Sequence, residues 1–277
     1  MPIYSERLIS ALSTIEKDEE GRYISPSMFV KVHSHIFMNL HFGEKFPPIK
    51  SFMDYIFMDI HDVETIANRL AWEKGLWNNE QLDFGKWMSY SACDIDLFHI
   101  EMRSIFDYTA KIIRRISDTP TQVPDSGFND LKTWLGKDGA KKTLGEDLAD
   151  LVLSADWFDN LRTVRDESVH RGGMTMVFPD KKEILFQVSK GFHNLVSIPE
   201  VMYNENVVRF EPYAGMHFGY LISLLEDLSV IIEKLLPIGK SKFNSGNPRI
   251  WYGKELPIIY SWIEQLLAKS ETKADKG

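Results

Sequence analysis

Between about Trp87 and Ser117 the residues Ile95, Phe98, Met102, Ile105, Phe106, Thr109, Ile112, Ile113 and Ile116 recur at helical spacing. The pattern predicts a long helix with an apolar stripe too broad for one neighbour. Such a helix forces other helices, or a second subunit, to wrap around it. The stripe is therefore a candidate both for the core and for a dimer surface. The chain reads as mainly α.

Further helices are predicted by the same periodicity. One spans residues 5–17 and stops at Asp18-Glu19-Glu20-Gly21. A second runs from Ser25-Pro26, as N-cap and first helical position, to about Leu40. A third runs from Ile49 to Lys74, with Gly75 as its stop. Residues 118–127 form a loop with two prolines, Phe128 to Leu135 a short helix, and the lysine- and glycine-rich 136–145 a mobile connector. Tyr213 to Leu236 is apolar on too many sides for an exposed helix, and Pro257 to Lys269 closes the fold before a disordered polar tail at 270–277. Two stretches of strand formers, 174–178 and 183–189, flank Pro179-Asp180 and predict a β-hairpin, with a third strand at 207–210. The domain organisation that follows is an N-terminal helical region, 1–90, packed on a main helical domain, 91–269.

Composition narrows the function classes. A net charge of -8 and a pI near 5.5 oppose a general nucleic-acid binder, which carries an extended basic face. The single cysteine, Cys93, allows no intramolecular disulfide and fits a reducing compartment. Met1 to Arg7 lacks the pattern of a signal peptide, and charges interrupt the run from Leu221 to Leu236. A soluble, cytoplasmic protein is expected.

Chemistry concentrates in Asp159-Asn-Leu-Arg-Thr-Val-Arg-Asp-Glu-Ser-Val-His-Arg-Gly-Gly173. Phe158, Leu161, Val164 and Val169, with Trp157, mark a helix, and Gly172-Gly173 its C-terminal stop. On the helical wheel Arg165 falls inside the apolar arc with Arg162 beside it, whereas His170 falls with Asp159 and Asp166. A guanidinium placed there needs a carboxylate, a carbonyl or an external anion. It is either a structural ion pair, such as Arg162 with Asp166, or a phosphate ligand near a histidine that titrates around neutrality.

Arg165-Asp166-Glu167-Ser168-Val169-His170 resembles the Arg-x4-6-His motif of the HEPN superfamily, the higher eukaryotes and prokaryotes nucleotide-binding domains. Asp166 fits the polar residue that follows the family's arginine. The resemblance extends over a helical region from about Cys93 to Leu236. It implies a HEPN-like bundle and a metal-independent endoribonuclease whose groove forms between the two protomers of a homodimer. Arg165 and His170 would be catalytic, with Arg162, Asp166 and Arg171 against the RNA or nucleotide. No cofactor is implied. A stress or phage-defence role, with an antitoxin protein as partner, belongs to the same resemblance. A homodimer also answers the separation of Arg165 and His170, about 140° around an ideal helix. The alternative is a non-catalytic HEPN-like module that binds a nucleotide or a protein.

Other clusters carry less. His33, His35 and His41 lack zinc spacing and have no companion cysteine. Asp59-x-His61-Asp62 sits in an amphipathic pattern and reads as a solvated helix face. Asp94, Asp96, His99, Glu101 and Arg103 include groups that could orient Arg165 or His170, but spacing does not choose among them. No metal site is expected.

Overall fold

The computed structural model describes residues 3–13, 16–17, 23–24, 29, 31–33, 47–170, 175–178, 180, 183–188, 198–235 and 256–274. The chain opens with α1 (Ile3–Ser13), followed by the paired strands β1 (Glu16–Lys17) and β2 (Tyr23–Ile24). The first helix thus stops before the predicted residue 17, because Glu16 and Lys17 pair with Ile24 and Tyr23 instead. Of the helix expected at 25–40, Phe29 and residues 31–33 are helical; the rest lies outside the described residues.

Two long helices form the largest packed pair. α2 (Pro47–Asn78) starts on prolines, whose fixed φ and missing N–H suit a first helical turn. α3 (Phe84–Ile116) starts at Asp83, whose carboxylate accepts from the Lys86 amide at 3.0 Å. Trp77 stacks on Trp87 at 4.3 Å and Tyr55 lies 5.1 Å from Tyr108, so the helices run antiparallel. Gly75, the expected stop, lies inside α2. Nothing approaches its Cβ position within 4 Å, and the Trp77–Trp87 stack carries the helix past it.

After the loop come α4 (Phe128–Leu135), α5 (Ala140–Leu144), α6 (Glu146–Ser154) and α7 (Phe158–His170). The expected connector at 136–145 therefore contains a helical turn. Gly139 and Gly145, at φ +79° and +98°, bracket α5, and Ala140 and Leu144 bury it. The hairpin appears as β3 (Val177–Phe178) and β4 (Leu185–Gln187). β5 (Met202–Asn204) and β6 (Val207–Arg209) complete an antiparallel sheet of order β3-β4-β6-β5. β6 is the third strand expected; β5 was not foreseen.

The core is centred on α8 (Phe210–Leu235), in which residues 213–225 are all buried. By length and composition this helix could cross a membrane, but 78% of its most apolar window is covered by the rest of the fold. α1 and α9 (Pro257–Ala274) lie against it. α9 runs to Ala274, so the tail expected at 270–277 begins as helix. The hydrophobic core runs without a break from Leu8 to Leu267. Residue 90 lies within α3.

Gly127 secures the junction between α3 and α4. Its φ is +145°, and a Cβ there would lie 2.5 Å from Asp107 Oδ1. That carboxylate accepts from the Phe128 amide at 3.1 Å and pairs with Arg103 at 3.2 Å. Gly127→Ala is expected to destabilise the fold by more than ~1 kcal/mol, lowering the urea midpoint, while Ser126→Ala, at an exposed neighbour, leaves it unchanged. Equal midpoints would show that the junction relaxes freely.

Candidate functional site

The motif helix α7 is anchored at its start by aromatic packing. Phe158 lies 4.7 Å from Phe106 and 5.0 Å from Phe128, and Trp157 lies 5.2 Å from Phe106 and 5.4 Å from Tyr220. Lys132 donates to the Ala155 carbonyl at 2.9 Å and to Asp159 at 3.0 Å. Leu161 and Val164 continue the buried face.

Along that helix the two arginines are half-buried, as their place beside the apolar arc implies. The Arg165 side chain is 27% exposed, and its Nη1 donates to Asp166 Oδ1 at 3.0 Å. Arg162 lies 4.0 Å from Asp159. The expected Arg162–Asp166 pair is thus replaced by two others: Arg162 turns one helical turn back, and its neighbour takes Asp166. His170 is the last residue of α7, but its side chain and all of Arg171 lie outside the described residues, as do Gly172 and Gly173.

None of the groups left open on the long helix is seen on Arg165; each has another neighbour. Asp94 takes both Nε (2.6 Å) and Nη2 of Arg69. Asp96 accepts from the Thr175 hydroxyl at 2.6 Å, tying the chain after the motif back to α3. Arg103 pairs with Asp107 and stands 5.6 Å from the Phe158 ring centre. Arg114, near the end of α3, is held by Asp125 and by the Pro120 carbonyl.

Glu101 joins Asp59 and Asp62 in a group whose carboxylate oxygens lie within 4.8 Å of one another. Burial, then the neighbouring like charges, raises Asp59 and Glu101 above their usual range. The sequence places Asp59 with Asp62 and sets Glu101 in a separate group on the long helix, because their cluster exists only across two helices. His33 forms a 2.7 Å contact with Asp54; His35 and His41 lie outside the described residues. Arg209, beside a shallow pocket with Glu183, Glu211 and Trp262, is bound at 2.9 Å by Glu183 and by main-chain carbonyls.

Comparison of the chain with known protein families, characterised proteins and solved structures finds no match. The site has to be read from its own chemistry.

The most deeply buried titratable groups lie between α3 and α8. His99 Nδ1 donates to the Ile95 carbonyl at 2.7 Å, which leaves Nε2 to accept from the Tyr213 hydroxyl at 2.8 Å. His217 packs on the Tyr213 ring at 4.5 Å, and neither of its ring nitrogens has a hydrogen-bond partner. Its period-four relation to Tyr213 was in the sequence, but the partner on α3 was not. Burial pushes His99 down to about 4 and His217 to about 3, the latter helped by its histidine neighbour.

Both rings are neutral when folded and take up protons more readily when unfolded, so each withdraws stability as pH falls below about 6.5. Glu64 and Glu73, raised to about 7 by burial, act in the opposite direction between about 7 and 4.5. His217→Phe isolates the histidine contribution. Its stability relative to wild type is expected to rise by roughly 1 kcal/mol per unit of acidification from pH 6.5 to 4.5, read from urea unfolding. Parallel pH profiles would rule out a neutral buried ring at 217.

Proposed function

We propose that the chain is a HEPN-like homodimer that binds RNA at α7 and cleaves it without a metal ion. The observation that supports this reading is the pair of half-buried arginines, Arg162 and Arg165, on the helix that ends at His170. Arginine held at an edge of the core offers a planar, pre-oriented donor set to a phosphate. A net charge of -8 fits a local grip on a few nucleotides rather than coating of a strand.

In the proposed reaction Arg165, assisted by Arg162, neutralises the scissile phosphate. His170 takes the proton from the ribose 2′-hydroxyl, whose oxygen attacks phosphorus. The bond to the 5′-oxygen breaks, and that oxygen takes up the proton from the His170 imidazolium, which returns the ring to its neutral form. The products are a 2′,3′-cyclic phosphate and a 5′-hydroxyl end. Asp166 holds Arg165 until phosphate displaces it, and Arg171 adds positive charge beside the substrate. The cytoplasmic defence role and an antitoxin partner belong to this same reading.

A second reading is favoured by the 3.0 Å pair between Arg165 and Asp166. A guanidinium already neutralised by its neighbour suits a non-catalytic module that binds a nucleotide or a protein. The two readings part in one experiment. Wild type, Arg165→Ala and His170→Ala are incubated with total and transfer RNA in EDTA, and the ends are analysed. Cleavage by wild type alone, leaving cyclic phosphate ends, is expected, with circular dichroism and dimer unchanged in both variants. Cleavage retained in either variant would overturn the roles given to Arg165 and His170, and absence of cleavage by folded dimeric wild type would leave the binding module.

A further inference from the structure

Apart from Phe84 at the first position of α3, six large apolar side chains are left exposed on α2 and α3. On α2 these are Tyr55, Met58 and Trp72, the last two more than 60% exposed; on α3 they are Tyr90, Leu97 and Ile100. By helical geometry each set occupies an arc of about 100° or less. The opposite side of α3, at Ile95, Met102, Phe106 and Ile113, is buried in the core. The two arcs therefore share the outer face of the antiparallel pair, on either side of the groove between the helices.

That groove is acidic at its middle and towards Trp72, while Lys111 stands over Tyr108 at the Tyr55 end. Asp59, Asp62 and Glu101 crowd its middle, and Asp59 Oδ2 is shielded from solvent with no hydrogen-bond partner. Towards the Trp72 end Glu73 is only 4% exposed, and its Oε2 also has no hydrogen-bond partner. The cation beside it, Arg69, is taken by Asp94. Carboxylates shielded this way favour a cation arriving from outside, because burying them unpaired is costly.

This charge pattern decides the occupant. A second copy docked symmetrically on the same face would bring the two acidic groups together, a like-charge juxtaposition that opposes association. A cationic helix meets both requirements. Its apolar residues, three and four apart, cover the exposed rings and aliphatic side chains, while lysine or arginine stems cross that surface and place their heads on the carboxylates. We propose that the outer groove of α2 and α3 is a docking site for a cationic amphipathic helix of another polypeptide. The inference is independent of any role for Arg165.

Cys93 provides a reporter, being the only cysteine in the chain and exposed between Tyr90 and Leu97 along α3. The full-length protein, labelled there with a polarity-sensitive dye, is titrated with a synthetic Leu/Lys amphipathic helix and with a Leu/Glu helix of identical apolar face. The Leu/Lys peptide is expected to saturate at one per chain and to blue-shift the dye, while the Leu/Glu peptide does neither. Asp62→Lys with Glu101→Lys should weaken binding more than about tenfold, and Leu97→Ser should weaken it too. Asp147→Lys, at an exposed acid on α6, should leave it unchanged, and circular dichroism checks that every variant is folded. Equal binding of both peptides, no binding by wild type, or an unchanged affinity in the double variant would overturn the proposal. So would self-association that Leu97→Ser abolishes, which would put a second copy on the face.

Discussion

The fold depends on burying one helix from two directions. α3 gives one flank to α2, through Trp87 on Trp77 and Asp94 on Arg69, and another to the aromatic cluster that Phe106 makes with Phe128, Trp157 and Phe158. Fully burying an aromatic ring of this size contributes about 1.5–3 kcal/mol through the hydrophobic effect, so this cluster sets where α4 and α7 sit. The motif helix is consequently fixed to the core at Phe158, and its described side chains pass from buried at Val164 to half-buried at Glu167.

Much of this was legible because helical periodicity reports burial directly. The stripe from Ile95 to Ile116 and the apolar excess of 213–236 gave α3 and α8 nearly to their ends, and strand formers around Pro179-Asp180 gave β3 and β4. The misreadings share a cause. Gly75 looked like a stop, residues 136–145 like a connector and the C-terminal residues like a tail, since each is locally polar or glycine-rich. Tertiary packing decided otherwise, with the Trp77–Trp87 stack extending α2 and the burial of Ala140 and Leu144 holding α5. Lys17 was placed in a helix because the pairing of β1 with β2 has no one-strand signature.

The candidate site was less legible than the fold, for a physical reason. Sequence spacing predicts neighbours along a helix, which is why Arg162, Arg165 and Asp166 come together on α7. It does not predict which side chains meet across helices. Glu101 with Asp59 and Asp62, His99 with Tyr213, and Asp96 with Thr175 join residues far apart in the chain, and each pairing rests on helix register. Alternative partners that looked equivalent in sequence, such as Asp94 and Asp96 for Arg165, were separated by about half a turn of α3 and went to different neighbours.

The position of α8 in the chain bears on how the protein comes into being. α1 meets the chain again at Asp156, 149 residues later, and Lys31 at Glu233, 202 residues later. Loop closure over such spans is slow, and parts made early cannot settle until the late helix exists. During synthesis the broad stripe of α3 leaves the ribosome more than ninety residues before residue 210. The nascent chain must carry the part of that surface that meets α8, at Phe98 and His99, uncovered for several seconds at ordinary elongation rates. Its solubility in that interval depends on α2 closing first along one flank, a local pairing across the short turn between Asn78 and Phe84.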